Sequence, residues 1–182
     1  MPQITKTLII LNVAGFVLQL VSGNQLLVHF ALWPLGPLFE PWQVVTYAFL
    51  HGSPAHLFFN MLGLFMFGSD MERVWGEKRY LTYYAVSVLS AAAAQLIVEA
   101  FTGIQAPTIG ASGGVFGLLL AFAMYFPHRR VVLLFPPIPM PAWVFATVYG
   151  GIELFLGVTG AGGSVAHFAH LGGMAGGYVL IR

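Results

Sequence analysis

Hydrophobic residues along the chain are collected into six apolar stretches, separated by segments rich in polar and turn-forming residues. Stretches of this kind predict helices that span a membrane. The six predicted helices cover about residues 4–21, 54–68, 80–101, 112–126, 142–157 and 165–182. The second, fourth and sixth are short for spanning segments. The pattern therefore predicts an all-α membrane protein built as a bundle of six transmembrane helices.

The connection between the first two helices, residues 22–50, does not resemble an ordinary loop. Turn signals interrupt it at Gly23-Asn24, Pro34 and Gly36-Pro37, yet it is rich in leucine, phenylalanine and tryptophan. An exposed loop of this composition would be unfavourable in water, so we expect the connection to lie partly in the outer leaflet of the bilayer.

Composition supports a membrane domain. Of the 182 residues, 58% are hydrophobic and only 7% are charged, whereas a soluble domain carries about 25% charged residues. We therefore expect one membrane domain over residues 1–182. The absence of cysteine excludes disulfides and thiolate metal sites. No basic run suggests nucleic acid as a partner. The N-terminus has no cleavable-signal pattern, so the first apolar stretch is expected to be retained.

The basic residues indicate an orientation. With six spans, all seven lysines and arginines fall on one side of the membrane, namely Lys6, Arg73, Lys78, Arg79, Arg129, Arg130 and Arg182. By the positive-inside rule that side is cytoplasmic. Both termini are therefore expected in the cytoplasm.

Polar residues inside membrane helices are expensive and are candidates for function. Here they stand where the second, fourth and sixth helices begin, and these three helices all run from outside to inside. At about 1.5 Å rise per residue, Ser112 lies roughly 25 Å from Arg129, and so several Å below the outer surface. The polar residues of this outer half are His51, His56, Asn60, Ser112, His167 and His170.

Ser112 lies in a glycine-rich stretch, residues 110–117. Small neighbours allow a substrate backbone to approach the hydroxyl, and a helix start offers free backbone N–H groups that stabilise an oxyanion. The alternative is that Gly113 and Gly117 form a packing face and that Ser112 is only an N-cap.

His167 and His170 share one face of the sixth helix. Gly173 and Gly177 lie on the face of His170 and would allow close packing on the fourth helix, which would hold an imidazole against Ser112. The alternative is a packing seam whose histidine is bonded to a carbonyl. The depth estimate does not separate the two histidines. His167, one turn nearer the outer surface, is expected to meet water or the preceding loop.

His56 and Asn60 are four residues apart and point the same way, as a pair of oxyanion donors would. Helix capping and interhelical hydrogen bonding are the alternative. We expect no metal and no cofactor, because the histidines lack an H-E-x-x-H motif or a tight ligand pair with a nearby carboxylate. We also expect no Asp or Glu to orient the base, which would make a dyad rather than a triad.

Taken together, three segments resemble the rhomboid family. They are H-x4-H-x3-N opening the second helix (51–60), G-x-S-G opening the fourth (110–113) and A-H-x-x-G on the sixth (169–173). The resemblance covers about residues 42–182. One departure is Trp42-Gln43, where many members have Trp-Arg.

The resemblance implies a rhomboid-like bundle and an intramembrane serine protease. It implies Ser112 as nucleophile and His170 as base, with His56, Asn60 and the Ser112 backbone N–H as oxyanion donors. Phe116 matches the aromatic position that stacks on the catalytic imidazole. Glu72 and Gly76 match a structural feature of the loop after the second helix.

The same resemblance implies the setting. Substrates would be transmembrane proteins with small, helix-destabilising residues. The protein would lie in the bilayer of a bacterial plasma (inner) membrane, with the active site opening to the outer face. Two alternatives remain. One is a catalytically inactive rhomboid-like protein with a binding or quality-control role. The other is a small transporter, which would predict an inverted repeat and ionisable residues at the midplane.

Overall fold

The computed structural model describes residues 1–103, 106–132, 137–161 and 166–182. Its helices are α1 (Gln3–Ser22), α2 (Gln25–Phe30), α3 (Gln43–Thr46), α4 (Pro54–Gly63), α5 (Ser69–Trp75), α6 (Glu77–Thr102), α7 (Ser112–Tyr125), α8 (Ala142–Thr159) and α9 (His167–Ile181). A 3-10 turn, Tyr47–Phe49, follows α3, and a π-helical segment, Leu64–Gly68, joins α4 to α5. Two short strands, β1 (Arg130–Val132) and β2 (Pro139–Pro141), pair antiparallel.

The apolar pattern located most of these helices well. The predicted bounds of α1, α6, α7 and α8 agree with the structure to within about three residues. Among the described residues, α1, α6 and α8 are long and apolar enough to cross a membrane, and α7 is a shorter apolar helix. The predicted start of the sixth helix at Val165 lies outside the described residues, as does Pro136. The two strands were not predicted, and each has only three residues.

The second predicted helix is longer than expected. Helical turns continue past Gly68 through α5 to Trp75. The polar residues of α5 looked like a loop, but the buried carboxylate of Glu72 accepts hydrogen bonds from the backbone N–H groups of Ile4 (2.8 Å) and Thr5 (2.7 Å). First-turn N–H groups have no partner within their own helix. Glu72 therefore ties α5 to the start of α1, which is a structural role within a helix rather than in a loop.

Gln43 holds the long first connection in place. This is the position where many sequences of the resembling family have arginine after the tryptophan. The Gln43 side chain is fully buried. Its Nε2 donates to the carbonyl of Leu38 (3.0 Å), and its Oε1 accepts from the backbone N–H of Trp33 (3.2 Å). Trp42 Nε1 donates to the carbonyl of His29 (3.0 Å). A neutral amide supplies both a donor and an acceptor, which a guanidinium cannot do. Hydrogen bonds between the side-chain amide of Gln43 and backbone groups therefore hold this connection in place.

Helix α9 packs against both α6 and α7. A Cβ added at Gly173 would collide with the carbonyl oxygen of Gly113 on α7, whereas one at Gly177 would collide with the Tyr83 hydroxyl on α6. The expected close approach of α9 to the Ser112 helix is thus present at Gly173. Gly177 instead faces α6, because the residues of α9 that meet α7 and α6 lie on two adjoining faces.

Candidate active site

Ser112 is the first residue of α7, and its hydroxyl points away from the helix. Its Oγ lies 2.7 Å from Nε2 of His170. The N-cap residue of α7 is Ala111, and no side chain caps this helix. The hydroxyl is therefore not used as an N-cap. The preceding Gly110 has a φ of 122°, which favours glycine, and its N–H donates to the carbonyl of Tyr47 (2.9 Å).

His170 lies on α9 with its ring held between two helices. The imidazole stacks on the ring of Phe116, with centroids 4.4 Å apart and an interplanar angle of 4°. Phe116 follows Ser112 by about one turn of α7, so one helix supplies both the hydroxyl and the stacking ring. The structure brings together Ser112, Phe116 and His170, the three residues to which the resemblance assigned the nucleophile, the stacking ring and the base.

His167 is not in contact with Ser112 and is not at the water surface. It is buried, and its Nδ1 lies 2.6 Å from Oε2 of Glu153 on α8. The same oxygen lies 2.8 Å from Nδ1 of His170. One expectation is therefore wrong, because an acidic residue does stand beside the base. His167 does not meet water, and most of the preceding loop, residues 162–165, lies outside the described residues. Helix α8 packs on α9 and carries the missing carboxylate there.

A signal for Glu153 was present in the sequence. The fifth and sixth predicted helices are joined by a short connection, so they form an antiparallel hairpin. In such a hairpin, residues equally distant from the centre of the connection lie side by side. Glu153 and His170 are almost equally distant from residue 162. Hairpin register, rather than a motif, would have placed Glu153 near the base.

The cluster also revises the metal argument. Glu153, His167 and His170 offer ligand atoms that lie within 4.8 Å of one another. The expectation that the histidines lack a nearby carboxylate is therefore wrong. The separations of 2.6 Å and 2.8 Å are nevertheless hydrogen-bond and ion-pair distances. Ligands at about 2.1 Å from a tetrahedral zinc ion stand about 3.4 Å apart, so the contacts of Glu153 in this arrangement are those of hydrogen bonding and ion pairing rather than of zinc ligation.

His56 offers a donor toward the serine. Its Nδ1 accepts a hydrogen bond from the backbone N–H of Gly52 (3.2 Å). In a neutral imidazole the other nitrogen then carries the hydrogen, so Nε2 is the donor. A Cβ added at Gly110 would lie 2.7 Å from this Nε2 and 3.7 Å from Ser112 Oγ. The glycine therefore allows the His56 donor to approach the serine closely.

Asn60 is buried one turn beyond His56. Its Nδ2 donates to the carbonyl of His56 (2.9 Å). The amide nitrogen has a second hydrogen, and Asn60 lines the same cavity as His56 and Ser112. The two predicted donors thus lie in the wall of the cavity that Ser112 also lines.

His51 lies before α4, outside the long helices, and its ring stands edge-on to that of His56 with centroids 4.9 Å apart. Burial, and after it the neighbouring imidazole of His56, lowers the pKa of His51 to about 3. The ring is therefore neutral at physiological pH. The carbonyl of His51 accepts from Gln19 Nε2 (3.2 Å), which ties this segment to α1.

A cavity of about 820 Å³ lies between α4, α7 and α8. One end of the cavity is polar, with His56, Asn60, Ser112 and His170 in its wall. The remainder is apolar and is lined by residues that include Met66, Phe67, Val115, Leu119, Val131 and Phe145. An apolar segment that enters between the helices can therefore reach the serine.

Comparison with known proteins is consistent with this geometry. The profile of the Rhomboid domain family matches residues 38–182. Rhomboid protein 1, mitochondrial, of Saccharomyces cerevisiae is 33% identical over 135 residues, which cover 72% of this chain and 38% of that protein. Rhomboid protease GlpG of Klebsiella pneumoniae is 26% identical over 187 residues, covering 97% of this chain and 61% of that protein.

Rhomboid protease GluP of Bacillus subtilis is 29% identical over 139 residues, which cover 76% of this chain and 25% of that protein. The chain thus spans less than two thirds of each of these relatives. The family match itself extends over α3 to α9 and includes every residue of the serine site. Together with the apolar helices, it shows that the chain is an integral membrane protein and belongs to the rhomboid family.

Proposed function

We propose that this chain is an intramembrane serine endopeptidase that cleaves transmembrane segments of other membrane proteins near the outer face of the membrane. The observation that carries the proposal is the 2.7 Å contact between Ser112 Oγ and His170 Nε2 in a cavity among apolar helices. The Klebsiella and Bacillus relatives are named as proteases, which supports the same reaction class.

The reaction follows from the Ser112–His170 dyad. His170 Nε2 accepts the hydroxyl proton as Ser112 Oγ attacks a peptide carbonyl, and the protonated imidazole then gives that proton to the leaving amine. The acyl-enzyme that remains is hydrolysed by a water molecule activated by the same imidazole. Phe116, stacked on the ring, limits its rotation throughout.

The oxyanion would be stabilised by three donors. They are the backbone N–H of Ser112 at the start of α7, the Nε2–H of His56 and the free amide N–H of Asn60. These donors are fixed before the reaction and need no rearrangement when the charge develops on the carbonyl oxygen. The mechanism requires neither a metal nor a cofactor.

The apolar cavity and the hydrogen bonding of helical carbonyls indicate which kind of substrate the enzyme would cleave. A carbonyl inside a helix is hydrogen-bonded and shielded, so a scissile bond must leave its helix before attack. Transmembrane segments with small, helix-destabilising residues meet that need, and the resemblance to the family favours a residue such as alanine before the scissile bond. The lipid bilayer is the medium, and nucleic acid is not a partner.

The placement in the cell is part of the proposal. We infer a single six-span domain over residues 1–182, in a bacterial plasma (inner) membrane, with both termini cytoplasmic and the serine site open to the outer face. The supporting observation is that all seven lysines and arginines lie on one side of the predicted spans.

The first prediction tests the nucleophile. The purified chain in detergent should cleave a fluorescently labelled single-span protein, and a fluorophosphonate should label Ser112. Ser112→Ala should lose both activities, because among the described residues only the Ser112 hydroxyl is hydrogen-bonded to an imidazole ring. Ser69→Ala is the matched control, since Ser69 is also buried but lies on α5. It should keep cleavage and labelling.

His170→Ala should abolish labelling, while His167→Ala should keep substantial activity, because only His170 contacts Ser112. A catalytically inactive rhomboid-like binding protein is the second candidate. It predicts that the wild type and Ser112→Ala behave alike, and that result would reject the protease.

A further inference from the structure

We propose that Glu153 is a positioning residue, whose Oε2 holds the Nδ1 edges of both His170 and His167 so that His170 presents an unprotonated Nε2 to Ser112. The proposal rests on the serine protease function proposed above. It adds a third group to the Ser112–His170 dyad without giving that group a contact with the substrate.

The three side chains of this cluster are all buried. Glu153 lies on α8 with only 9% of its surface exposed, and both imidazoles beside it are buried. Its Oε2 forms a hydrogen bond with Nδ1 of His167 at 2.6 Å. The contact with Nδ1 of His170 is slightly longer, at 2.8 Å, and does not meet the directional requirement of a hydrogen bond. Catalytic hydrogen bonds are often poorly aligned before substrate binds and tighten afterwards.

The chemistry of the three groups fixes the tautomer. An ionised carboxylate is only an acceptor, and a neutral imidazole has a single N–H. Next to Oε2, each histidine is more stable with its hydrogen on Nδ1. The lone pair of His170 then lies on Nε2, which faces the Ser112 hydroxyl at 2.7 Å. The opposite tautomer would set the Nδ1 lone pair against the carboxylate oxygen, which is two acceptors facing each other, and would leave Ser112 without a base.

His167 contacts the same carboxylate oxygen of Glu153 as His170 does. Its hydrogen bond fixes the carboxylate, and its ring stands perpendicular to that of His170, with centroids 6.4 Å apart. Phe116 stacks on one face of the His170 ring. When His170 takes the serine proton, the carboxylate also places a negative charge beside the new imidazolium, where the apolar cavity offers little other compensation.

The experiment compares Glu153→Gln with Glu99→Gln in the full chain in detergent. Glu99 is a matched control, because it is also a buried carboxylate in a long helix and pairs with Gln95. Glutamine keeps the volume of glutamate but loses the charge. Glu153→Gln should lower kcat about 10- to 100-fold with KM within about twofold. We expect less than the ~10⁴-fold loss at a triad acid, because the stacked Phe116 still restrains the ring.

The rate of fluorophosphonate labelling at Ser112 should fall by the same factor, because labelling reports the serine's reactivity without substrate binding. Glu99→Gln should leave kcat and the labelling rate unchanged. Glu153→Gln with wild-type kcat and wild-type labelling would overturn the positioning role and leave the protease standing. If Ser112→Ala cleaved like the wild type, the protease and the positioning role would both be rejected.

A second measurement needs no substitution at Glu153. In wild-type protein with ¹⁵N-labelled histidine, the ring nitrogen shifts give the tautomer of each histidine, assigned by comparison with His167→Ala and His170→Ala. The proposal expects a hydrogen on Nδ1 and none on Nε2 of His170. A hydrogen on Nε2 of His170 would overturn it even if Glu153→Gln failed to fold.

Discussion

At the scale of single residues, the amide of Asn60 has two hydrogens and two uses. One hydrogen is donated to the carbonyl of His56 four residues earlier (2.9 Å), and the other remains for the cavity. The first contact stabilises the local turn, whereas the second would stabilise an oxyanion. The two uses can be separated, because Asn12 on α1 makes the same i to i−4 contact, with Leu8 at 2.8 Å, away from the serine.

The donors should act on the chemical step. His56→Ala and Asn60→Ala are each expected to lower kcat by about 10²–10³ while raising KM less, because their hydrogen bonds strengthen as charge develops. Asn12→Ala should lower the thermal unfolding midpoint much as Asn60→Ala does, with kcat unchanged. Steady-state kinetics and thermal unfolding in detergent measure both. If Asn60→Ala loses only stability, its role is helix packing.

At the scale of helices, the position of His170 depends on how closely α9 approaches α7. Gly173 meets the backbone of Gly113, the residue after Ser112, and a methyl group added at Gly173 would collide with the Gly113 carbonyl. The two helices can relieve that clash only by moving apart. Since the Ser112–His170 contact crosses this same interface, catalysis should be sensitive to a single methyl group there.

Gly173→Ala should therefore reduce fluorophosphonate labelling at least tenfold and destabilise the protein by about 1–3 kcal/mol, the usual effect of overpacking. Gly151→Ala is the matched control, because an added Cβ on that glycine of α8 meets nothing within 4 Å. Alanine is favoured over glycine within a helix by about 1 kcal/mol, so this variant should be as stable as the wild type or more so. Equal labelling by both variants would contradict the interface argument.

At the scale of the whole molecule, the two ends of the bundle differ in chemistry. At one end, Asp70 pairs with Arg73 and with Arg129 (2.8 Å each), and Glu72 binds the start of α1. The serine site lies at the opposite end of α7, since Ser112 begins that helix and Arg129 follows its last turn. The basic end and the serine site therefore occupy opposite ends of the molecule.

This polarity gives a topology prediction. Reporters fused to either terminus should be cytoplasmic, and a reporter between residues 157 and 164 should be outside, because the basic residues are retained in the cytoplasm. Protease treatment of spheroplasts measures this directly: the internal reporter should be digested and the terminal ones protected. Protection of the internal reporter would reverse the proposed orientation and place the serine site on the inner face.

The sequence by itself determined the apolar helices and three of the polar segments at the site. Period and length of the apolar runs placed α1, α6, α7 and α8, because burying apolar side chains in lipid requires continuous hydrophobic stretches. The pattern failed at α5, since the charged Asp70 and Glu72 resemble loop residues until their partners on other elements are known. The resemblance of the three motifs to the rhomboid family grouped Ser112 with His170, His56 and Asn60.

The tertiary structure alone decided where Glu153 lies, and it places His170 rather than His167 against Ser112. His167 and His170 are one turn apart on one helix, so their spacing and depth alone do not distinguish them. Which of the two histidines reaches Ser112 depends on the position of α9 along α7. The close contact of Gly173 with Gly113 sets that position. Glu153 reaches both histidines only because α8 packs on α9. Contacts between helices depend on rotation and depth, and these are fixed by the packing of the whole bundle rather than by the order of residues within one helix.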